Sequence, residues 1–279
     1  MGGGTYSTAS RTVRALAMDY DSAPITQIFK SHSINNAMNP KGIVVRESRD
    51  STEHPNSLAV VFGLDVTGSM GKVPHNLVKN GLPTIMQSFI DGGIHDPQVL
   101  FMGIGDHECD DSPLQVGQFE SSDELLDKWL TDIYLEGGGG GNAGESYHLA
   151  WYFAAQHTAI DCFEKRSIKG FLFTIGDEPV LDDLSKSNIK HLMGDGQYKN
   201  WTAQELLTKA REKYNVYHIH IAETMAGRRQ ETVQSWTRLI GAPNLLIANS
   251  YNDVAGLISR TVISNSEHDN ASPINILDI

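Results

Sequence analysis

Five short apolar runs, separated by segments with helical periodicity, constrain the fold of this 279-residue chain more than any other feature. The runs are LAVVFGL (58–64), VLFMGIG (99–105), FLFTI (171–175), VYHIHIA (216–222) and LLIA (245–248). Continuous apolar runs of this length are typical of strands that are covered on both faces, as in parallel sheets. Their alternation with amphipathic helices predicts an α/β fold with a doubly wound, mostly parallel sheet flanked by helices.

The chain divides into three predicted parts. Residues 57–264 carry the strand and helix pattern and are predicted to form the domain. Residues 1–56 lack sustained periodicity, so we expect an irregular N-terminal extension that wraps the domain or is partly mobile. Within it, RESRDSTEHP (46–55) is predicted to be a solvated approach to the first core strand. Residues 265–279 are predicted to be a C-terminal tail.

The charge balance and the cysteines exclude several classes of function. Acidic residues outnumber basic ones, 34 to 22, which gives a net charge of −12. This balance argues against nucleic acid and anionic membranes as partners, and it is compatible with cation binding. The two cysteines, Cys109 and Cys162, have neither zinc-site nor disulfide-framework spacing. No signal core and no bilayer-spanning apolar run is found, so we expect a cytoplasmic protein.

The most informative motif is DVTGSM (65–70), which lies between the first apolar run and a helical segment. Asp65, Thr67 and Ser69 alternate along it, so an extended loop can direct their three oxygens to one place. A carboxylate with two hydroxyls is a hard, oxygen-only ligand set that suits Mg²⁺ or Mn²⁺ and does not suit zinc. Taken alone, the same motif could also be a turn that caps the next helix.

Two further polar loops follow later in the chain. They contain Asn142, in GGGGGNAGES, and Asp177, in FTIGDEP. Ligands in parallel α/β sheets bind at the carboxyl ends of the strands. Three loops at one sheet edge, each offering an oxygen ligand, therefore predict a metal site rather than a simple turn.

The spacing of Asp65, Thr67 and Ser69 resembles the metal-ion-dependent adhesion site (MIDAS) of the von Willebrand factor A domain. The pattern of that site is DxSxS, then a Thr or Asp, then an Asp. The resemblance extends over roughly residues 57 to 264 and implies a Rossmann-like α/β fold. The GIGDHECDDSPLQVGQF segment (103–119) is also similar to the RDH…P…F stretch of members fused to alpha-kinases.

The other two MIDAS elements resemble loops of stand-alone intracellular members. GGGGGNAGE is similar to a GGGDxPE loop, which places Asn142 at the metal-facing position and Glu145 at the following acid. Asn is a neutral oxygen donor there, whereas the family pattern has an acid or a threonine. TIGDEP (174–179) is similar to a TDGE-like loop, with Asp177 as the acid and Glu178 beside it.

The resemblance implies a binding module rather than an enzyme. Such domains hold Mg²⁺ at the top of the sheet and bind the Asp or Glu of a protein partner through it. Asp65 is then the key anion, directly or through a water, and Thr67 and Ser69 coordinate the ion. Asp177 acts directly or through another ligand. Many intracellular members work beside AAA+ ATPases or in multiprotein assemblies, which suggests a partner of that kind.

The residues predicted to line the partner-binding rim are Asp106, His107, Glu145 and Glu178. Asp106 and His107 begin a dense polar segment, DHECDD (106–111), predicted to lie at the same edge as the metal site. This segment could instead be a solvated loop or a second metal site. His218 and His220 share a face of a predicted strand, but no third zinc ligand is evident, so packing under a helix or exposure on an edge is the favoured interpretation.

Other functions remain open on the sequence alone. One is a metal-dependent hydrolase or phosphatase that uses Asp65, although no general acid or base has a catalytic spacing to it. Another is a structural domain with a degenerate metal site, which Asn142 favours. The glycines of 139–144 fit GxGxxG, a dinucleotide-binding pattern, but that pattern normally occupies the first strand–helix turn. The span from Gly63 to Gly68 has the glycine spacing of a P-loop, but Ser69 and Met70 follow it instead of the required Lys and Ser/Thr.

Overall fold

The computed structural model describes residues 4–68, 70–137 and 144–270 of the chain. Its strands lie at the apolar runs and at several shorter segments. They are β1 (Arg46–Ser48), β2 (Leu58–Asp65), β3 (Pro97–Ile104), β4 (Leu114–Val116), β5 (Thr158–Ile160), β6 (Gly170–Gly176), β7 (Asp183–Leu184), β8 (Trp201–Thr202), β9 (Tyr214–Ile221) and β10 (Leu245–Ala248).

Six of these strands form one sheet in the order β10-β9-β6-β2-β3-β4. All neighbours are parallel except β4, which pairs antiparallel with β3 at the edge. Every residue of the central strands β2, β3 and β6 is buried, as expected for a sheet that is covered on both faces. The predicted α/β fold with a mostly parallel sheet is therefore confirmed.

Helices connect the strands and cover both faces. They are α1 (Thr8–Ala17), α2 (Ile25–Ile28), α3 (Lys72–Asn76), α4 (Leu82–Asp91), α5 (Asp123–Thr131), α6 (His148–Gln156), α7 (Asp161–Glu164), α8 (Lys186–Met193), α9 (Ala203–Ala210), α10 (Gln230–Ile240) and α11 (Asp253–Asn270). Helix α6 packs against α9, and α4 packs against α11. The crossovers from β2 to β3 and from β6 to β9 run in opposite directions along the sheet, so the right-handed rule for parallel strands puts these two pairs on opposite faces.

The helix after β2 is continuous from α3 to α4 through a π-helical turn, Leu77–Gly81. The sequence predicts a kink or a split here because of Pro83. Pro83 is the second residue of α4, directly after the π-helical turn, and a proline inside a continuous helix lacks the N–H that would bond to the preceding turn. The distortion precedes the proline and takes the form of the widened turn.

The N-terminal extension packs on the domain, which is one of its two predicted alternatives, and it contains helices that the sequence pattern does not predict. Its helix α1 packs on α5, and Arg11, which is 2% exposed, forms an ion pair with Asp127 at 2.7 Å. Arg14 pairs with Asp123 at 2.7 Å and with Asp127 at 3.1 Å. Charged pairs bridge α1 to the domain, so this helix is part of the folded unit.

The segment before the first core strand also differs from its prediction as a solvated approach. Residues Arg46–Ser48 form β1, which pairs in parallel with β5 outside the main sheet. The side chain of Arg49 pairs with Asp161 at 2.8 Å. The segment is therefore fixed at the amino end of the sheet. At the other terminus, α11 continues across residue 264, the predicted end of the domain.

No helix in the described part of the chain is long and apolar enough to cross a membrane.

Candidate metal centre

Asp65 is the last residue of β2, and its side chain is completely buried at the carboxyl edge of the sheet. Its Oδ1 accepts hydrogen bonds from the backbone N–H and the hydroxyl of Thr67, at 3.0 and 2.6 Å. Its Oδ2 accepts a hydrogen bond from the hydroxyl of Tyr147 at 2.7 Å. Thr67 thus donates its hydroxyl proton to Asp65, which leaves the lone pairs of its oxygen available to a cation.

Two further buried acids lie close to Asp65. Asp177 follows the end of β6 and is fully buried, and its charge raises the pKa of Asp65. Glu145 lies just before α6 and is 5% exposed, and its carboxyl group is hydrogen-bonded to the side chain of Thr67. The loops after β2 and β6 and the segment before α6 therefore converge on one point.

The electrostatics of this cluster favour a bound cation. Burial raises the pKa of Asp65 to about 7, and the charge of Asp177 adds to this, against the hydrogen bonds from Thr67 and Tyr147. Burial also raises the pKa of Glu145 to about 9, and the charges of Asp65, Asp110 and Asp106 add to it. The charged groups that act most strongly on both residues are acidic. A cation placed among them would relieve the cost of ionising buried carboxyls.

Backbone hydrogen bonds hold the converging loops together. The N–H of Glu145 donates to the carbonyl of Pro179 at 2.9 Å, and the N–H of Leu181 donates to the carbonyl of Glu145 at 3.0 Å. Glu145 and Val180 form an isolated parallel bridge through these bonds. The segment before α6 is therefore joined to the loop that carries Asp177.

The loop after β3 is joined to the same segment. The backbone N–H of His107 donates to Ser146 Oγ at 2.9 Å, and His107 Nδ1 lies 2.7 Å from that oxygen. Asp106 is 1% exposed, and its Oδ1 accepts a hydrogen bond from the N–H of Glu108 at 2.8 Å. Its Oδ2 has no hydrogen-bond partner among the residues described. The structure thus brings Asp106 towards the acids around Asp65.

The four residues predicted for the partner-binding rim differ in exposure. His107 and Glu178 are partly exposed, and the carboxylate of Glu178 lies 3.7 Å from the guanidinium of Arg229. Asp106 and Glu145 are buried. They lie beneath the surface, within the acidic cluster, while His107 and Glu178 are open to a partner. The assignment of a partner-binding rim stays a prediction.

The predicted ligands Ser69 and Asn142 lie outside the described residues, as does most of the GxGxxG pattern. In the described ranges, no group of three or more His, Cys, Asp or Glu side chains could hold a metal by itself. The predicted donor set is of another kind, since it combines carboxylates with hydroxyl and amide oxygens. Asp65, Thr67 and Asp177 fit their part of that set, because all three are buried at one edge and all offer oxygen.

The aromatic residues that surround Asp65 carry no signal in the sequence. Tyr147 packs edge-on against Trp236 and His218, with ring centroids 5.4 and 5.2 Å apart. These residues come from α10, from β9 and from the turn before α6. No spacing in the sequence relates them to Asp65, so only the fold reveals their position.

The paired histidines of β9 are core residues. Both are fully buried, and His218 stacks on Trp236 at a centroid distance of 3.5 Å. His218 Nδ1 lies 2.9 Å from the hydroxyl of Thr174, and His220 Nε2 lies 2.7 Å from the carbonyl of Gly227. Packing inside the domain is thus the interpretation that the structure confirms. Cys162 is likewise buried.

Comparison with known proteins finds little similarity in sequence. No protein-family model matches the chain. No curated protein matches it either. Among solved structures, the chain is similar to the pilus adhesin SpaC from Lactobacillus rhamnosus GG. One crystal form of SpaC is 13% identical with a TM-score of 0.49, over 79% of this chain and 32% of the adhesin. The open conformation of SpaC is 11% identical with a TM-score of 0.48, over 79% and 31%. The match therefore spans about a third of the adhesin.

Proposed function

We propose that this protein is a Mg²⁺- or Mn²⁺-dependent protein-binding module of the von Willebrand factor A type. In this proposal the cation lies at the carboxyl edge of the sheet and binds an Asp or Glu side chain of a partner. The observation that carries the proposal is the convergence of Asp65, Glu145 and Asp177 around the hydroxyl of Thr67. The pKa of Asp65 is raised to about 7 and that of Glu145 to about 9, first by burial and then by other acids.

Each residue has a distinct part in the proposed site. Thr67 and Ser69 offer hydroxyl oxygens, Asn142 an amide oxygen, and Asp177 a carboxylate. Asp65 orients Thr67 by accepting both of its hydrogen bonds. A bound Mg²⁺ would supply an electrophilic position at which a partner's carboxylate can replace a water. Thr67 and Ser69 are neutral ligands, so the ion would keep more of its positive charge than in a site made of carboxylates alone, which favours an anionic partner group.

The partner in this proposal is a protein with an exposed acidic residue, such as an AAA+ ATPase or another component of an intracellular assembly. His107 and Glu178 are the partly exposed residues beside the site that would contact it. Because the chain has a net charge of −12, a bound cation would offset the repulsion that an acidic partner meets near the site.

A hydrolase or phosphatase that uses Asp65 as a nucleophile is the competing function. A nucleophilic carboxylate needs an oxygen that the substrate can reach. Asp65 is completely buried, and both of its oxygens accept hydrogen bonds. Its environment thus favours an orienting role over a nucleophilic one.

Titration calorimetry on metal-depleted protein tests the proposed site. We expect Mg²⁺ and Mn²⁺ to bind the wild type and not to bind Asp65→Ala. Asp161→Asn is the matched control, because Asp161 is also a buried carboxylate but lies at the amino end of the sheet, paired with Arg49 and Lys165. That variant should bind the ions as the wild type does. Absence of binding to the wild type would contradict the proposal.

A second measurement tests whether the cation has an open position for a carboxylate. The relaxation of water protons by protein-bound Mn²⁺ depends on the waters that the ion holds. Sodium acetate, used as the carboxylate probe, should lower this relaxation by replacing a bound water. Sodium chloride at the same ionic strength is the control. An ion whose relaxation is unaffected by acetate would be structural, and this result would contradict partner binding through the metal.

A further inference from the structure

Asp65 is held by donors from two parts of the chain. Thr67, two residues away, binds Oδ1 through its N–H and its hydroxyl. Tyr147, which lies 82 residues away at the start of α6, binds Oδ2 at 2.7 Å. Donors on both oxygens fix the orientation of the carboxylate plane. The Tyr147 bond is the one that sets this orientation relative to the rest of the fold, since the Thr67 bonds move with the loop.

The backbone next to the hydroxyl of Tyr147 leaves space for it because it has no side chain there. Gly176, the last residue of β6, lies so close that a Cβ at this position would be 1.9 Å from Tyr147 Oη. Any side chain at this position would therefore push the phenol away from Asp65. Gly176 immediately precedes Asp177, so the residue that admits the phenol belongs to the loop of another predicted ligand.

The same aromatic group anchors that loop. Trp236 packs edge-on against Tyr147 at an interplanar angle of 62°, and its indole N–H donates to the carbonyl of Glu178 at 2.9 Å. His218 also belongs to this aromatic group. Its ring stacks on that of Trp236, and the two planes are within 9° of parallel. The group made of Tyr147, His218 and Trp236 thus contacts two loops of the site. The phenol of Tyr147 binds Asp65 at the end of β2, and the indole of Trp236 binds the loop that follows β6.

We infer that Tyr147 is a positioning residue of the metal site, an inference that rests on the proposed function. Its hydroxyl holds Asp65 in the orientation in which Oδ1 accepts a hydrogen bond from the hydroxyl of Thr67. Thr67 Oγ1 then has lone pairs, and no proton, to offer a cation. Groups that orient metal ligands in this way commonly change metal affinity by about 10–100-fold when they are removed.

Tyr147→Phe tests the inference, with Tyr214→Phe as a matched control. Tyr214 is also completely buried, and its hydroxyl lies 2.7 Å from the hydroxyl of Thr158, near the amino end of the sheet. Each variant loses one buried tyrosine hydrogen bond of the same length. We expect Tyr147→Phe to weaken Mg²⁺ binding by about 10-fold or more in calorimetry, and Tyr214→Phe to leave it unchanged.

A second readout needs no metal. The N–H of Thr67 donates to Asp65 Oδ1, so release of Asp65 from Tyr147 should speed hydrogen exchange at this amide. We expect faster exchange at Thr67 in metal-depleted Tyr147→Phe and not in Tyr214→Phe. Gly176→Ala is the second variant, because it keeps the phenol but displaces it. It should weaken Mg²⁺ binding in the same way.

The possible results separate this inference from the proposed function. The positioning role would be overturned if Tyr147→Phe bound Mg²⁺ as tightly as the wild type, or if Tyr147→Phe and Tyr214→Phe lost the same affinity. Neither result would contradict the metal site itself. A wild type that binds no Mg²⁺ would overturn the proposed function. In that case, unchanged exchange at Thr67 in Tyr147→Phe would show that Tyr147 does not hold Asp65 either.

Discussion

Mg²⁺ affinity should rise steeply with pH between pH 5 and 7. Burial raises the pKa of Asp65 from 3.8 to about 7 and the pKa of Glu145 from 4.5 to about 9, each with a contribution from neighbouring acids. Over this range the folded, metal-free protein holds protons that the unfolded chain has already released. The stability of the metal-free protein therefore falls as the pH rises from about 4 to about 9. Mg²⁺ has the opposite preference, because it favours ionised carboxylates.

The size of the effect follows from these pKa values. At pH 5, about 99% of Asp65 is protonated, and at pH 7 about half is. If Mg²⁺ displaces only the proton of Asp65, its affinity rises by about 50-fold from pH 5 to 7. If it must also displace the proton of Glu145, the rise is steeper, up to about 100-fold per pH unit for two protons displaced together. The steepness of the profile therefore counts the acids that contact the ion.

Calorimetry at pH 5, 6 and 7 in buffers of different ionisation enthalpy measures both the affinity and the number of protons released. Asp161→Asn serves as the control, because hydrogen bonds from Lys165, Asp50 and Arg49, acting against burial, lower the pKa of Asp161 to about 2. It titrates outside this range and should leave the profile unchanged. An affinity that does not vary between pH 5 and 7 would refute the reasoning, because the acids would then already be ionised or would not contact the ion.

Three further predictions concern stability. Glu145→Gln removes a buried acid from an acidic cluster, so at pH 8 we expect the Tm of the metal-free protein to rise by about 2–4 °C or more. The increase in Tm that Mg²⁺ causes should become smaller. A fall in the Tm of the metal-free protein would count against this. Arg11→Ala removes the closest partner of buried Asp127, and urea denaturation should show a loss of about 3–5 kcal/mol in the free energy of unfolding, whereas a loss below about 1 kcal/mol would mean that α1 contributes little. Burial, with the charge of His220, holds the pKa of His218 well below 6.5, so the unfolded chain binds one more proton there and stability falls as the pH drops below about 6.5. His218→Phe, which can still stack on Trp236, should make the fall shallower between pH 6.5 and 4, and an unchanged slope in thermal melts would contradict the assignment.

The strands of the main sheet could be predicted from sequence because burial on both faces demands continuous apolar runs. LAVVFGL and FLFTI coincide with β2 and β6, and the alternation with helices gave the parallel arrangement. Asp65 and Thr67 were predicted either to share a metal or to form a turn, because their spacing alone lets a loop bring their oxygens together, and the bond from the N–H of Thr67 to Asp65 is that of such a turn. Their hydrogen bonds, at 3.0 and 2.6 Å, are of this local kind.

Other features depend on contacts that leave no local signal. Tyr147 reaches Asp65 because α6 begins beside β2, and no pattern around Glu145 and Tyr147 reveals this. Helix α6 spans only His148–Gln156, because Glu145 before it pairs with Val180 in the loop after β6 and β5 begins at Thr158. The N-terminal helix α1 was missed because its stability comes from Arg11 and Arg14 bonding to α5 rather than from a wide apolar face.

The backbone bridge between Glu145 and Val180 has a consequence for how the site opens. Its two hydrogen bonds join the segment before α6 to the loop after β6, so neither can swing away alone without breaking both. Entry and exit of an ion should then proceed by a concerted loosening of the two segments. In a deuterium-exchange experiment, the amides of Glu145 and Leu181 should acquire label at the same rate, and a tightly bound ion should slow both by the same factor. The bridge would in that way make the segment before α6 and the loop after β6 move as one unit.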